Sequence, residues 1–142
     1  MQDSNVIVTV TGSGELSDGE KIVTTAPGRL YNKSGKKYII YELPDENVPG
    51  QLVKHTLILR KTSLEIGKSA PGLKTRILYE TGKRTETDYA TPHGLITLSF
   101  YTESFAAEEN DESLFIELTY AILMGDDVLS RNLLQILCTK EK

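Results

Sequence analysis

From Leu114 to Met124 every even position is apolar or aromatic: Leu114, Ile116, Leu118, Tyr120, Ile122 and Met124, with Glu117 and Thr119 lying opposite. Side chains alternate faces with period two along a strand and not along a helix, so this run predicts a long strand with one buried face. The same alternation returns at Val6, Val8 and Val10 against Thr9 and Thr11, and at Val53, His55, Leu57 and Leu59 against Lys54, Thr56 and Arg60. Further strands are expected at about Glu20 to Thr25, Tyr38 to Leu43, Ser63 to Gly67, Leu73 to Glu80, Arg84 to Tyr89 and Leu95 to Thr102. Residue usage points the same way. The β-favouring types number 7 Val, 11 Ile, 15 Thr, 7 Tyr and 3 Phe, against only 6 Ala.

Turn signals divide these runs: Ser17-Asp18-Gly19, Pro27-Gly28, Lys33-Ser34-Gly35-Lys36, Pro49-Gly50, Pro71-Gly72, Thr81-Gly82-Lys83 and Gly125-Asp126-Asp127. Strands broken at intervals of about ten residues predict an all-β antiparallel sandwich or barrel. Val128 to Cys138 suits a helix through Leu129, Leu133, Ile136 and Leu137, but Leu129, Leu133 and Leu137 also suit one strand face, and strand is preferred. The acidic stretch Glu103 to Glu112 reads as an irregular solvated loop. No linker or repeat divides the 142 residues, so one domain, residues 1–142, is expected.

Charge and motifs exclude more than they assign. With 16 basic and 20 acidic residues the net charge is −4, and there is no basic cluster to neutralise phosphates, so no nucleic-acid partner is expected. No stretch has the length of a signal peptide's apolar core or a membrane span, and the single cysteine, Cys138, forms no internal disulfide. A cytoplasmic protein without membrane association is therefore expected. Two histidines and one cysteine at no ligand spacing predict no metal site, and no cofactor is expected. Gly12-Ser13-Gly14 is better read as a strand-end turn than as a phosphate loop, and no Gly-x-Ser-x-Gly elbow is present.

His55, on the apolar face of its strand, should face a core or cavity. Glu42, Arg60 and Arg76 are charged residues embedded in apolar strands, and any that point inward need partners, since an unpaired buried charge costs several kcal/mol. Arg60 or Arg76 with Glu42 is the obvious pairing, while alternation equally permits all three to point outward. His93 falls in Tyr89-Ala90-Thr91-Pro92-His93-Gly94, where Thr91, Pro92 and Gly94 are candidate turn-forming residues.

The succession Tyr38-Ile39-Ile40-Tyr41-Glu42, Leu57-Ile58-Leu59-Arg60, Tyr79-Glu80-Thr81-Gly82 and Tyr89-Ala90-Thr91-Pro92-His93-Gly94, followed by Thr102, Tyr120 and Asn132, resembles the YwiB-like family of uncharacterised bacterial proteins. The resemblance spans about Val6 to Lys140, and the Tyr-x-Thr-Pro-x-Gly turn is its most specific part. It implies a lipocalin-like, or calycin, meander barrel of about eight to ten strands, with Val128 to Cys138 as a strand, whose interior could hold a small ligand. It implies no reaction. The Gly-x-Trp segment of secreted lipocalins is absent, because the chain has no Trp.

Three readings follow. In the first, the barrel binds an unidentified small molecule, with Tyr41, Glu42, His55, Arg60, Arg76, Tyr79, Tyr89 and Tyr120 as candidate lining. In the second, the chain is a homodimer or interaction module using a strand edge or apolar patch. In the third, Glu42 or His55 serves as acid or base in an enzyme. The first is preferred and the third ranks last.

Overall fold

Among the described residues, period-two patterning translates into ten strands and no α-helix. They are β1 (Ser4–Gly14), β2 (Ile22–Lys33), β3 (Lys36–Pro44), β4 (Leu52–Leu59), β5 (Ser63–Ala70), β6 (Leu73–Glu80), β7 (Arg84–Thr91), β8 (Gly94–Glu109), β9 (Ser113–Met124) and β10 (Asp127–Lys140). The computed structural model describes residues 1–15, 18–91 and 93–141, the side chains of 89–91 excepted.

All ten strands form one antiparallel sheet in the order β6-β5-β4-β3-β2-β1-β10-β9-β8-β7. Each strand thus pairs with its sequence neighbours except across the junction of β6 and β7, and β1 pairs with β10, so the sheet rolls into a nearly closed barrel. Its two edges, β6 and β7, are consecutive in the chain yet share no ladder. Near the Gly82 turn this seam is stitched together: Thr85 Oγ1 donates to the Leu78 carbonyl at 2.9 Å, Gly82 N–H to the Thr102 carbonyl at 2.9 Å and Thr102 N–H to the Lys83 carbonyl at 3.2 Å.

The up-and-down path gives the barrel two ends. One end collects the β2–β3, β4–β5, β6–β7 and β8–β9 turns. The interior behind it is solid, filled by Val6, Val8, Leu30, Ile39, Leu57, Leu64, Leu114, Ile116 and Leu118, each no more than 1% exposed. Burying side chains of this size stabilises the fold by about 1.5–3 kcal/mol apiece before entropy is counted. At this end the Met1 ammonium lies 2.6 Å from Glu109 Oε2, and Lys37 Nζ lies 3.0 Å from the same oxygen. Burial pushes the Glu109 carboxyl up, but the hydrogen bonds and charges of these two cations prevail and hold it below the ordinary carboxylate range.

Three local expectations are corrected. Glu103 to Glu109 is strand, because β8 runs on to Glu109. A bulge between Thr102 and Ser104 shifts the phase by one residue, so that Phe100 and Thr102 face inward before it and Phe105 after it, and the alternation is masked. Pro27-Gly28 lies inside β2 and makes no turn. The β3 ladder begins only at Gly28, so Pro27 sits just before it, and a Cβ on Gly28 would lie 2.8 Å from the Ile40 carbonyl oxygen. Glycine is there for close packing. Finally, Val128 to Cys138 is strand as preferred, but Leu129 and Leu137 are exposed. A bulge between Val128 and Ser130 sets Ser130, Ile136 and Cys138 on the buried face instead.

Candidate functional site

Toward the end that holds the β1–β2, β3–β4, β5–β6, β7–β8 and β9–β10 turns, the interior is hollow. A cavity of about 480 Å³ opens there, within the range of small-molecule sites. Its walls come from inward positions of β1 to β6, β9 and β10. Val10, Leu43, Ile66, Ile77, Leu134 and Ile136 are among its aliphatic residues, with Leu57 also lining it.

Register explains its polar side. Tyr41 on β3 pairs with His55 on β4, His55 with Lys68 on β5, and Lys68 with Thr75 on β6. Cross-strand partners project from the same face, so one continuous rung of Tyr41, His55, Lys68 and Thr75 crosses four strands, and all four line the cavity. The Tyr41 and His55 rings stack with centroids 4.8 Å apart and 14° between planes. Opposite them, Tyr79 packs edge-on against Tyr120 at 5.1 Å and against Phe100 at 6.4 Å.

Removal from water sets the protonation states. Burial, assisted by the positive charge of Lys68, pushes the His55 pKa down to about 4, so the imidazole is neutral near pH 7 and offers one donor and one acceptor. Burial foremost raises Tyr41 to about 12, which keeps its hydroxyl protonated. Cys138, fully buried, is pushed up to about 12 by burial and stays a thiol.

Of the residues proposed from sequence as lining, Tyr41, His55, Tyr79 and Tyr120 meet in the cavity. Glu42, Arg60 and Arg76 do not. Each lies one position out of phase with inward neighbours, Glu42 between Tyr41 and Leu43, Arg60 after Leu59, and Arg76 between Thr75 and Ile77, so alternation carries it to the outer face. Nor does Glu42 pair with either arginine. Glu65 lies between them instead, with Arg60 Nη1 at 3.9 Å and Arg76 Nε at 3.6 Å. The Tyr89 side chain falls outside the described residues. So do Pro92 and the Thr91 side chain, while the Thr91 backbone pairs with Gly94, whose φ of 112° suits glycine beside a tight reversal.

Lys68, Thr75 and Thr24 line the cavity but escape the sequence reading. The signal for Lys68 is present: Leu64, Ile66 and Lys68 share one strand face, but the predicted strand stops at Gly67, whereas β5 continues to Ala70. A larger hollow of about 750 Å³, lined by Ser13, Glu15, Glu103, Arg131 and neighbours, is a shallow groove on the outer wall and lacks enclosing sides. Among the described residues no group of three His, Cys, Asp or Glu converges, and no helix is long and apolar enough to cross a membrane.

The mouth of the cavity has an apolar collar. Among the described residues, all the exposed large hydrophobics except Tyr101 and Leu137 belong to this end of the barrel, with Leu95 at 74% and Ile22 at 64% the most exposed.

The family model described as Domain of unknown function (DUF1934) matches residues 7–136. Among solved structures, the chain is similar to the crystal structure of the ywiB protein from Bacillus subtilis, at 21% identity and a TM-score of 0.82, over 100% of this chain and 95% of that one. At such identity the likeness shows the shared fold. Together the two matches bear out the resemblance to the YwiB-like family. No curated protein matches the chain.

Proposed function

We propose that this chain, which belongs to the family described as Domain of unknown function (DUF1934), is a binding barrel that holds a small molecule in its interior. The observation that carries the reading is the hollow half of the barrel. A chain selected only to fold gains from filling its core, since voids cost stability, yet here one half is packed solid and the other leaves about 480 Å³ between aliphatic walls, three tyrosines, a histidine and a lysine. Apolar walls supply affinity and a few convergent polar groups supply orientation. Binding is favoured over catalysis because His55 is stacked on Tyr41 while Glu42, the other acid-base candidate, lies on the outer face.

Native mass spectrometry of gently purified protein tests this by comparing the intact folded mass with the denatured mass. A reproducible excess lost on denaturation is expected. A barrel that remains bare after exposure to fractionated cell metabolites, with no change in thermal stability, would overturn the reading.

The apolar collar favours a second role, in which two copies dock mouth to mouth and cover Leu95, Ile22 and their neighbours. Sedimentation equilibrium should then show a dimer that Leu95→Glu dissociates. A strictly monomeric chain across micromolar concentrations removes this role and leaves the cavity reading intact.

A further inference from the structure

We infer, building on the binding reading above, that the cavity selects a monoanion with an apolar body, a carboxylate carried on an aliphatic or aromatic frame. The charges of the lining are one-sided. Among the described residues that form the cavity, Lys68 is the sole charged side chain and no carboxylate is present, although acidic residues outnumber basic ones in the whole chain by 20 to 16. Lys68 forms no ion pair within the described structure, its neighbours on the rung being the neutral His55 and the hydroxyl of Thr75.

Position makes this lysine a receptor for charge. It lies toward the open end of β5, paired across the ladder with His55, and is exposed to solvent. A carboxylate meeting it there keeps part of its hydration, so the pairing escapes the heavy desolvation cost of a fully buried ion pair. Deeper in, Leu57, Ile66, Ile77, Leu134 and Ile136 offer only apolar surface, to which the body of the ligand contributes by burial. Thr75, beside Lys68, and Thr24 add hydroxyl donors, and the neutral imidazole of His55 can donate one more hydrogen bond. A cationic ligand would meet Lys68 with no acid to offset it. A neutral amphiphile would fill the apolar part but gain nothing from the lysine.

The test is isothermal titration of the full chain with dodecanoate and naphthoate, the matched neutral dodecanol and naphthol, and dodecyltrimethylammonium. The proteins are wild type, Lys68→Gln and Ile66→Trp, a variant that occupies the cavity, with folding of each checked by circular dichroism. Wild type is expected to prefer at least one anion over its neutral counterpart by roughly two- to fivefold, the scale of a partly exposed charge pair, and Lys68→Gln to lose that preference while keeping its affinity for the neutral molecule. Equal binding of anion and alcohol, or tighter binding of the cation, overturns the charge selection and leaves the binding barrel standing. Failure of every probe to distinguish wild type from Ile66→Trp overturns the binding reading itself, and this inference with it.

Discussion

Lowering the pH should destabilise the protein through His55, and by an amount that the structure bounds. In the unfolded chain the imidazole titrates near its ordinary value of 6.5, whereas in the barrel burial and Lys68 hold it down to about 4. As pH falls below 6.5 the unfolded state takes up a proton that the folded state refuses, so stability declines until the folded pKa near 4 is passed, and no further loss from this group occurs below it. Above 6.5 its contribution is fully present. At about 1.4 kcal/mol for each pH unit, the interval sets a ceiling of about 3.5 kcal/mol. His55 is only half-buried at a cavity open to water, and screening there reduces the expected loss to about 1–2 kcal/mol. The assay is urea denaturation of wild type and His55→Phe at several pH values between about 7.5 and about 4.5, with free energies from linear extrapolation. Phenylalanine keeps an aromatic ring against Tyr41 and removes the proton. Asp3 and Glu109, whose pKa values are also lowered, the first mainly by the Asn32 backbone hydrogen bond, titrate identically in both proteins and cancel in the difference. Wild type should therefore lose stability more steeply than the variant over that interval. Parallel curves, or a steeper fall for the variant, would refute the argument that burial keeps this imidazole neutral.

Other perturbations probe the walls of the barrel. Leu118→Ala, at a fully buried position in the solid half, should cost about 2–5 kcal/mol in urea denaturation, through lost burial and the void it leaves. Gly28→Ala should cost about 1–3 kcal/mol despite its small size, because the new Cβ would press on the Ile40 carbonyl oxygen and Val8 Cγ2, at 2.8 and 3.0 Å, and crowd Tyr41; unchanged stability would show that β2 and β3 can separate freely. The Cys138 thiol should resist an aromatic disulfide reagent in the folded protein and react fully once denaturant is added, as its burial and raised pKa require.

The residues themselves determined the strand content, most strand positions and the antiparallel path, because period-two alternation is a local property and the turns between strands are marked by glycine and proline. The phase of a strand is local too, which is why His55 and Tyr120 could be nominated for the interior from their apolar neighbours, whereas Tyr41 and Tyr79 follow from the general suitability of tyrosine, an apolar ring with a polar tip, for lining a site. Phase alone does not say which face becomes inside, and a single bulge reverses it. At Glu103 a bulge hid the second half of β8 inside an acidic run, and at Leu129 another accompanies the outward placement of Leu129 and Leu137 on β10. Glu42, Arg60 and Arg76 were nominated by proximity to apolar runs, whereas alternation, once the inner face is known, places them outside. Only the tertiary structure decided that β1 pairs with β10, that Glu65 lies between the two arginines, and that one half of the barrel is filled while the other is hollow. Each of these depends on which side chains from distant strands arrive at the same height on the barrel wall. That height is set by the register of ten strands together, a sum of pairings and bulges that no single stretch of sequence contains.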